Sequence, residues 1–386
     1  MPSFGPFPGI RYATDDLARV TAPPYDVIDA AQRAALAAQD PTNVVRIDLP
    51  VDGTEPYAEA GATFRRWIAD GTLVTDDPSL YLYRMIFTDE DGHERHTLGV
   101  LGALGLEPPG EGDVLPHEHT TPKAKSDRLQ LLRATEANLS PIWGLSLATN
   151  LSKLLDTDVA EPIGAWHDED GVSHELWRVS DHEDIAAICA AVASSPVVIA
   201  DGHHRYETSL AFAAERPDLD AARATLCFVV ELVEDQITVQ PIHRLIAGLP
   251  DGTDVAAALS SSFEVEPTTD QPDGHSVTTL VESGRLGLVT PDGFAYLRPR
   301  HPDDRIDSAL VAEAFDALPA HELTYQHGVA QSVAAVREGR ADAAVLLRPV
   351  SVAQIQHVAH AREKMQPKST FFSPKLRTGT VFRPLR

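Results

Sequence analysis

One short segment of the chain concentrates side chains that bind phosphate or a metal ion. Asp201, Gly202, His203, His204 and Arg205 follow one another without a gap. A carboxylate such as Asp201 holds Mg²⁺ together with phosphate oxygens, and a guanidinium such as Arg205 presents a planar fork to a phosphate. Gly202 would let the backbone approach a ligand closely. The segment therefore predicts a polyphosphate site, with Asp201 as the metal ligand and both histidines beside it.

The elements on either side of this segment support the same interpretation. Val197–Ala200 is a short apolar run typical of a buried strand, and His204–Glu215 has apolar residues at helical spacing. A helix that starts just after a strand directs its N–H groups and its positive dipole end towards one point, which favours an anion. The alternative is that Asp201 only caps the helix and that the histidines lie on the surface.

A second group of candidates lies upstream, where His117, Glu118 and His119 precede Lys123 and Lys125. Glu118 is a candidate general base that would take the proton from a hydroxyl nucleophile, with His117 beside it. Lys125 would neutralise charge on a transferred phosphoryl group, and Lys123 would bind phosphate. Two alternatives stay open: a zinc site formed by the His-x-His pair, and a plain exposed loop.

Lysine is rare and unevenly distributed in this chain. It occurs at six positions, and five of these fall in residues 120–127 and 362–377. Local positive charge in such an acidic chain indicates a bound anion, so Lys368 is also predicted to bind the cofactor. The segment 365–375 has adjacent aromatic residues between two Pro-Lys pairs. This pattern is typical of a segment that folds back over a cleft. Solvated loops and a structural arm are the alternatives.

Composition limits the possible partners. The chain has 386 residues and a formal net charge of −25, which would repel nucleic acid and anionic membrane surfaces. No apolar stretch is long enough to span a bilayer, and residues 1–10 lack the basic start of a secretion signal. The two cysteines, Cys189 and Cys227, lie in apolar surroundings. These features predict a cytoplasmic protein that binds neither membrane nor nucleic acid.

Strand and helix patterns alternate along the chain, which predicts an α/β or α+β protein with mixed sheets. Three regions are expected: an N-terminal α/β region at 1–112, a core at 113–248, and a C-terminal α/β region with a basic tail at 249–386. Within them, residues 44–49 are predicted to form a strand. Residues 226–232 and 237–245 are predicted to pair as a hairpin.

Several segments resemble signature blocks of the family known as domain of unknown function 1015 (DUF1015), although the family name implies no function. The blocks are Pro23–Ile28, Lys125–Leu129, Ala137–Ile142, Ile199–Thr208 and Pro367–Thr370.

A more distant resemblance is to free-serine kinases of the ParB/sulfiredoxin-like superfamily. It is carried by the order of three motifs: His117 with Glu118, then Arg128 with Leu129, then the segment 201–205. The resemblance implies a ParB/sulfiredoxin-like nucleotide-binding core at 113–248, with the segment 201–205 on the nucleotide phosphates and Glu118 as the base acting on serine. This chain departs from those kinases in a longer interval between the motifs, including a hairpin at 164–179, and in its flanking regions.

Together these observations predict a nucleotide-dependent phosphotransferase that uses ATP or ADP with Mg²⁺. The acceptor would be a small hydroxylated metabolite, with free serine as the first candidate. Two other functions stay open. One is a metal-dependent hydrolase with His117, His119, His203 and Asp201 as ligands. The other is a nucleotide-binding sensor or scaffold without catalysis. No oligomeric state is predicted.

Overall fold

The chain folds into two compact units. Unit 1 comprises Met1–Phe87, Glu94–Ile237 and Pro374–Arg386, and unit 2 comprises Thr88–His93 and Thr238–Ser373. The predicted boundary after residue 112 falls within unit 1, and the one after residue 248 falls within unit 2. A computed structural model describes the following residues, with the backbone alone for 123–126: 1–51, 53–89, 92–108, 110–116, 123–156, 161–273, 275–301 and 305–386.

Unit 1 is built on a mixed sheet. Its strands are β1 (Phe4–Gly5), β2 (Ile10–Tyr12), β3 (Leu73–Thr75), β4 (Leu80–Thr88), β5 (Glu94–Gly105), β6 (Val114–Pro116), β7 (Ala137–Asn138), β8 (Ile142–Ser146), β9 (Gly164–His167), β10 (Ser173–Val179), β11 (Val197–Asp201) and β12 (Ala224–Glu231). The main sheet has the order β6-β11-β8-β12-β5-β4-β10-β9, and β1 also pairs with β5. β11 is parallel to β6 and β12 is parallel to β8, whereas β1 with β5, β4 with β10, β9 with β10, β8 with β11 and β5 with β12 are antiparallel. The predicted α/β class with mixed sheets is confirmed.

Helices cover this sheet. They are α1 (Leu17–Val20), α2 (Ala30–Gln39), α3 (Val45–Asp48), α4 (Pro56–Ala69), α5 (Lys123–Thr135), α6 (Leu151–Leu155), α7 (His182–Ala193) and α8 (His203–Glu215). The core forms where apolar residues of α6 and α7 pack on β4, β5 and β11. The centre of the sheet is buried on both faces: in β12, all five consecutive side chains from Leu226 to Val230 are apolar and buried. A strand with both faces covered has such a continuous apolar run.

The predicted strand at residues 44–49 is wrong, because these residues form α3. The side chain of Asn43 accepts a hydrogen bond from the N–H of Val45 at 3.0 Å, which satisfies a donor of the first helical turn. Four consecutive residues from Val45 are helical, and Val45 and Ile47 are both buried. A short apolar run fits a strand or a buried helical turn equally well, so its period could not distinguish them.

Unit 2 contains an antiparallel sheet with helices on both faces. Its strands are β13 (Thr238–Gln240), β14 (His243–Ala247), β15 (Phe263–Thr268), β16 (Leu286–Thr290), β17 (Gly293–Pro299), β18 (Glu322–Gln326), β19 (Ala343–Leu346) and β20 (Phe371–Ser373). Its helices are α9 (Val255–Leu259), α10 (Ser276–Ser283), α11 (Asp307–Phe315), α12 (Val329–Arg337) and α13 (Val352–Ala361). The sheet order is β15-β17-β16-β19-β14-β18, and β13 pairs with β20. Separate apolar clusters lie under α9 with α11 and under α10 with α12.

The predicted hairpin of residues 226–232 with 237–245 is also wrong. β12 lies between β5 and β8 in unit 1, whereas β13 and β14 belong to unit 2. The alternation of residues located these strands, but their partners are distant in the sequence. Among the described residues, no helix combines the length and the apolar character needed to cross a membrane.

Residues 374–386, which we call the strap, follow unit 2 in the sequence and belong to unit 1. The strap is buried for much of its length and includes β21 (Arg383–Pro384), which pairs with β7. The backbone N–H groups of Ala22 and Thr378 each donate to the carbonyl of the other, at 3.1 and 2.8 Å. Of the basic tail expected at residues 365–386, the last thirteen residues are thus part of unit 1, and the rest belongs to unit 2.

Candidate functional site

The turn between β11 and α8 has the geometry predicted from the sequence. β11 ends at Asp201, and α8 begins at His203. Gly202 has a φ of 89°, in the left-handed region that costs energy for a residue with a Cβ. A Cβ at this position would also lie 2.9 Å from Cγ2 of Ile142. The turn therefore depends on glycine, and it places the positive dipole end of a 13-residue helix directly after Asp201.

Both carboxylate oxygens of Asp201 contact a cation. Nη2 of Arg205 donates to Oδ2 at 2.9 Å, and Nζ of Lys375 donates to Oδ1 at 3.3 Å. The side chains of Asp201, Arg205 and Lys375 are 24%, 12% and 19% exposed, so the group is sheltered but accessible to a ligand. Lys375 comes from the strap.

The charges around Asp201 set its protonation state. Burial alone would raise the pKa of this carboxyl, but Lys375, Arg205 and His203 outweigh that effect and lower its pKa to about 2. His203 is therefore close enough to interact electrostatically with Asp201. His203 and His204 are half-buried. At neutral pH the turn holds an ionised carboxylate between an ammonium and a guanidinium.

Arg205 also connects the turn to a neighbouring segment. Its Nη1 donates to the backbone carbonyl of Pro141, just before β8. The positive charge of Arg205 also interacts electrostatically with Tyr25 and Asp48. Burial raises the pKa of both residues, and the positive charges of Arg205 and Arg128 act in the opposite direction. Arg205 thus links Asp201 to a second cluster of charged residues.

That second cluster is centred on Arg128 in α5. Its guanidinium donates to Asp48 at 3.1 Å and to Asp127 at 2.7 Å, and it lies over the ring of Tyr25 at 4.2 Å from the ring centroid. Tyr57 donates its hydroxyl proton to Asp127. Arg128 and Asp48 are 7% and 4% exposed, so this is a buried ion pair that fixes both side chains.

A small cleft of about 50 Å³, open to solvent, lies beside these charges. Arg128, Arg205 and Asp48 line it together with hydroxyl groups, among them those of Ser209 and Thr225. Ser209 donates to Thr225 at 3.1 Å within the wall. The cleft therefore offers both signs of charge and neutral hydrogen-bonding groups to a small polar molecule.

A family model described as "protein of unknown function (DUF1015)" matches residues 4–341. This chain belongs to that family. A comparison with curated proteins found no match. Four of the five blocks that resemble DUF1015 contribute to the site, through Tyr25, Arg128, Pro141 and the turn of Asp201 and Arg205. Lys375 lies beyond the matched residues.

The solved structures that are similar to this DUF1015 chain include three that are each 13% identical to it. One is a conserved hypothetical protein from Pyrococcus furiosus, with a TM-score of 0.36 over 69% of this chain and 92% of that one. Another is a free serine kinase in complex with AMP, with a TM-score of 0.38 over 69% of this chain and 89% of that one. The third is SbnI with a C-terminal truncation from Staphylococcus aureus, with a TM-score of 0.41 over 74% and 87%. These likenesses are distant, and we draw no functional conclusion from them.

The structure describes the upstream predicted site residues only in part. His117 and Glu118 lie outside the described residues, as does His119. Lys123 and Lys125 belong to the first turn of α5, and their side chains lie outside the described part of the structure. These assignments stay predictions.

Lys368 belongs to unit 2, where its carbonyl accepts a hydrogen bond from Arg244 at 3.1 Å. Its predicted contact with the cofactor stays a prediction. The same lysine-rich segment does return to the Asp201 turn, but through Lys375. Lys375, Arg128 and Asp48 are not among the site residues that the sequence predicts. The unequal distribution of lysine pointed to the first, and the family blocks contain the second.

Asp201 does not fit Mg²⁺ in the arrangement observed. A metal ion at either oxygen would have to share that oxygen with Lys375 or Arg205 and would be repelled by the positive charges of both. Within the described ranges, no three side chains of His, Cys, Asp or Glu come together as a metal-binding group. The predicted role of Asp201 as a metal ligand therefore finds no support in the geometry of the turn.

Proposed function

We propose that this protein is a nucleotide-dependent phosphotransferase that acts on a small hydroxylated metabolite. The proposal rests on the turn at the start of α8, where an ammonium and a guanidinium flank one carboxylate. Two positive charges against one negative charge leave a net attraction for an anion. A phosphate there would also gain from the helix dipole.

The described residues suit phosphoryl transfer because this reaction requires mainly positioning and charge neutralisation. Arg205 and Lys375 would hold the phosphates of ATP or ADP and stabilise the charge that develops on the transferred group. Glu118, with His117 and Lys125 beside it, would take the proton of the acceptor hydroxyl, and Lys123 would contact phosphate. These upstream roles come from the sequence motifs.

The cleft beside Arg205 supports a small acceptor. The cleft is small, about 50 Å³, is open to solvent, and is lined by Arg128, Asp48 and hydroxyl groups. Such a lining suits a compact polar molecule that carries its own charges. Free serine is the first acceptor to test, because the order of the motifs resembles that of free-serine kinases.

The test is to incubate the purified protein with ATP or ADP and pooled hydroxylated metabolites, with and without Mg²⁺, and to search for a phosphorylated product by mass spectrometry. A product that depends on protein and nucleotide supports the proposal. Tight nucleotide binding by calorimetry without any product would favour a nucleotide sensor. Stoichiometric zinc in the purified protein would favour a hydrolase. Absence of both binding and product overturns the proposal.

A further inference from the structure

The strap holds Lys375 in place through its neighbours. Arg377, two residues further on, is 2% exposed and contacts Glu169 at 3.0 Å and Asp168 at 3.7 Å. Thr378 pairs with Ala22, immediately before the segment that carries Tyr25. Anchors so close to Lys375 fix the backbone from which its side chain extends. The contact of Lys375 with Asp201 is therefore fixed by the fold of unit 1 and does not depend on the free movement of an exposed side chain.

The ammonium of Lys375 contacts a carboxylate oxygen of Asp201 that a metal ion would also need. Lys375 donates a hydrogen bond to Oδ1 of Asp201, and Arg205 donates one to Oδ2. The pKa of Asp201 is lowered by these neighbours, so the carboxylate stays ionised and both contacts persist at neutral pH. A lysine ammonium carries three donors on a flexible stem, so it can keep one bond to Asp201 and offer another to a phosphate oxygen.

We propose that Lys375 supplies, at the Asp201 turn, the positive charge that the sequence motif assigns to Mg²⁺. This inference rests on the proposed nucleotide site. When phosphates bind at the start of α8, Nζ of Lys375 moves part of its hydrogen bonding from Asp201 to a phosphate oxygen. Asp201 then acts as a positioning residue for Lys375 and Arg205. Binding of the phosphates needs no divalent cation at this carboxylate.

Calorimetric titration of ADP tests this, in EDTA and in excess Mg²⁺. The wild-type chain should bind ADP at least as tightly in EDTA, because free ADP carries more negative charge than its magnesium complex. Lys375→Met keeps the length of the side chain and removes the charge, and should weaken ADP binding in EDTA about tenfold, the usual effect of losing one charge-assisted hydrogen bond. Lys375→Arg should recover most of the affinity. Binding of adenosine, which lacks phosphate, should not change.

Lys153→Met is the matched control, since Lys153 is exposed on α6 and should leave ADP affinity unchanged. The inference is overturned if wild-type protein binds ADP only with Mg²⁺, or if Lys375→Met binds ADP in EDTA as the wild type does. The first comparison needs no variant, so it stands even if Lys375→Met fails to fold. A wild type that binds ADP in neither buffer overturns the proposed function and this inference together.

Discussion

Nζ of Lys375 lies 3.3 Å from Oδ1 of Asp201, although 174 positions separate the two residues in the sequence. The contact joins the turn before α8 to the strap, and Arg205 completes it on the other oxygen. Charges held in this way need little reorganisation when a phosphate arrives.

Replacement of Glu118 by Gln should abolish phosphotransfer and leave nucleotide binding intact. The amide cannot accept the proton of an acceptor hydroxyl, whereas the phosphates would be held by Arg205 and Lys375. Turnover by mass spectrometry and binding by calorimetry measure the two effects separately. Equal loss of both, or of neither, would contradict the role of Glu118 as the base.

Arg205→Lys should weaken ADP binding about tenfold even though it keeps the charge. Arg205 reaches Asp201 and the carbonyl of Pro141 with different nitrogens, and a lysine ammonium cannot span both. Arg133→Lys is the control, because Arg133 makes an ion pair with Glu215 that is about half exposed. It should change stability by less than about 1 kcal/mol and leave ADP affinity alone. Similar ADP affinities for the two variants would contradict the predicted role of Arg205.

Gly202→Ala should destabilise the protein more than Gly171→Ala does. Both glycines have φ near 80–90°, and a Cβ there costs roughly 1–2 kcal/mol. A Cβ at Gly171 meets nothing within 4 Å, whereas one at Gly202 meets Ile142 at 2.9 Å. The crowding should add on the order of 1 kcal/mol. Urea unfolding of the two variants measures the difference, and equal values would refute the close approach at the turn.

Unfolding free energy should fall as the pH drops below about 6.5, in part because of His243. Its ring is 1% exposed, and Nδ1 accepts the N–H of Leu347 at 3.2 Å. Burial, with the charges of His327 and Arg244, lowers the pKa of His243 to about 3. The unfolded chain, with a histidine pKa near 6.5, binds a proton that the folded chain does not, so stability present above pH 6.5 is lost towards pH 3. By about pH 5 the loss approaches 2 kcal/mol.

His243→Asn isolates this contribution, because an asparagine oxygen replaces the acceptor and does not titrate. Urea unfolding of wild type and variant at a series of pH values gives two profiles. Their difference should shrink as the pH falls from 7 to 5. Parallel profiles would show that His243 is not held in its neutral form by the fold.

Local patterns predicted much of unit 1 around the site. The apolar run at 197–200, the glycine after Asp201 and the helical spacing that follows all depend on neighbouring residues, and the structure confirms them. The hairpin at 164–179 is confirmed for the same reason, since its two strands are joined by a short turn.

Contacts between distant segments could not be predicted in this way. The apolar spacing of residues 44–49 predicts a strand instead of α3, so it gives no sign that Asp48 contacts Arg128, 80 positions away. The lysine-rich segment indicated an anion site, but no local pattern could show that Lys375, rather than Lys368, reaches Asp201. Such pairings depend on how the sheet is assembled, which the spacing of apolar residues does not encode.

The position of the strap has a consequence for biosynthesis. A ribosome makes residues 374–386 only after all of unit 2, so the nascent chain carries the turn of Asp201 long before Lys375 exists. A chain that stalls or is cut within 238–373 would keep the β11–α8 turn without its ammonium. The affinity of that turn for an anion should therefore rise only after translation has passed beyond unit 2.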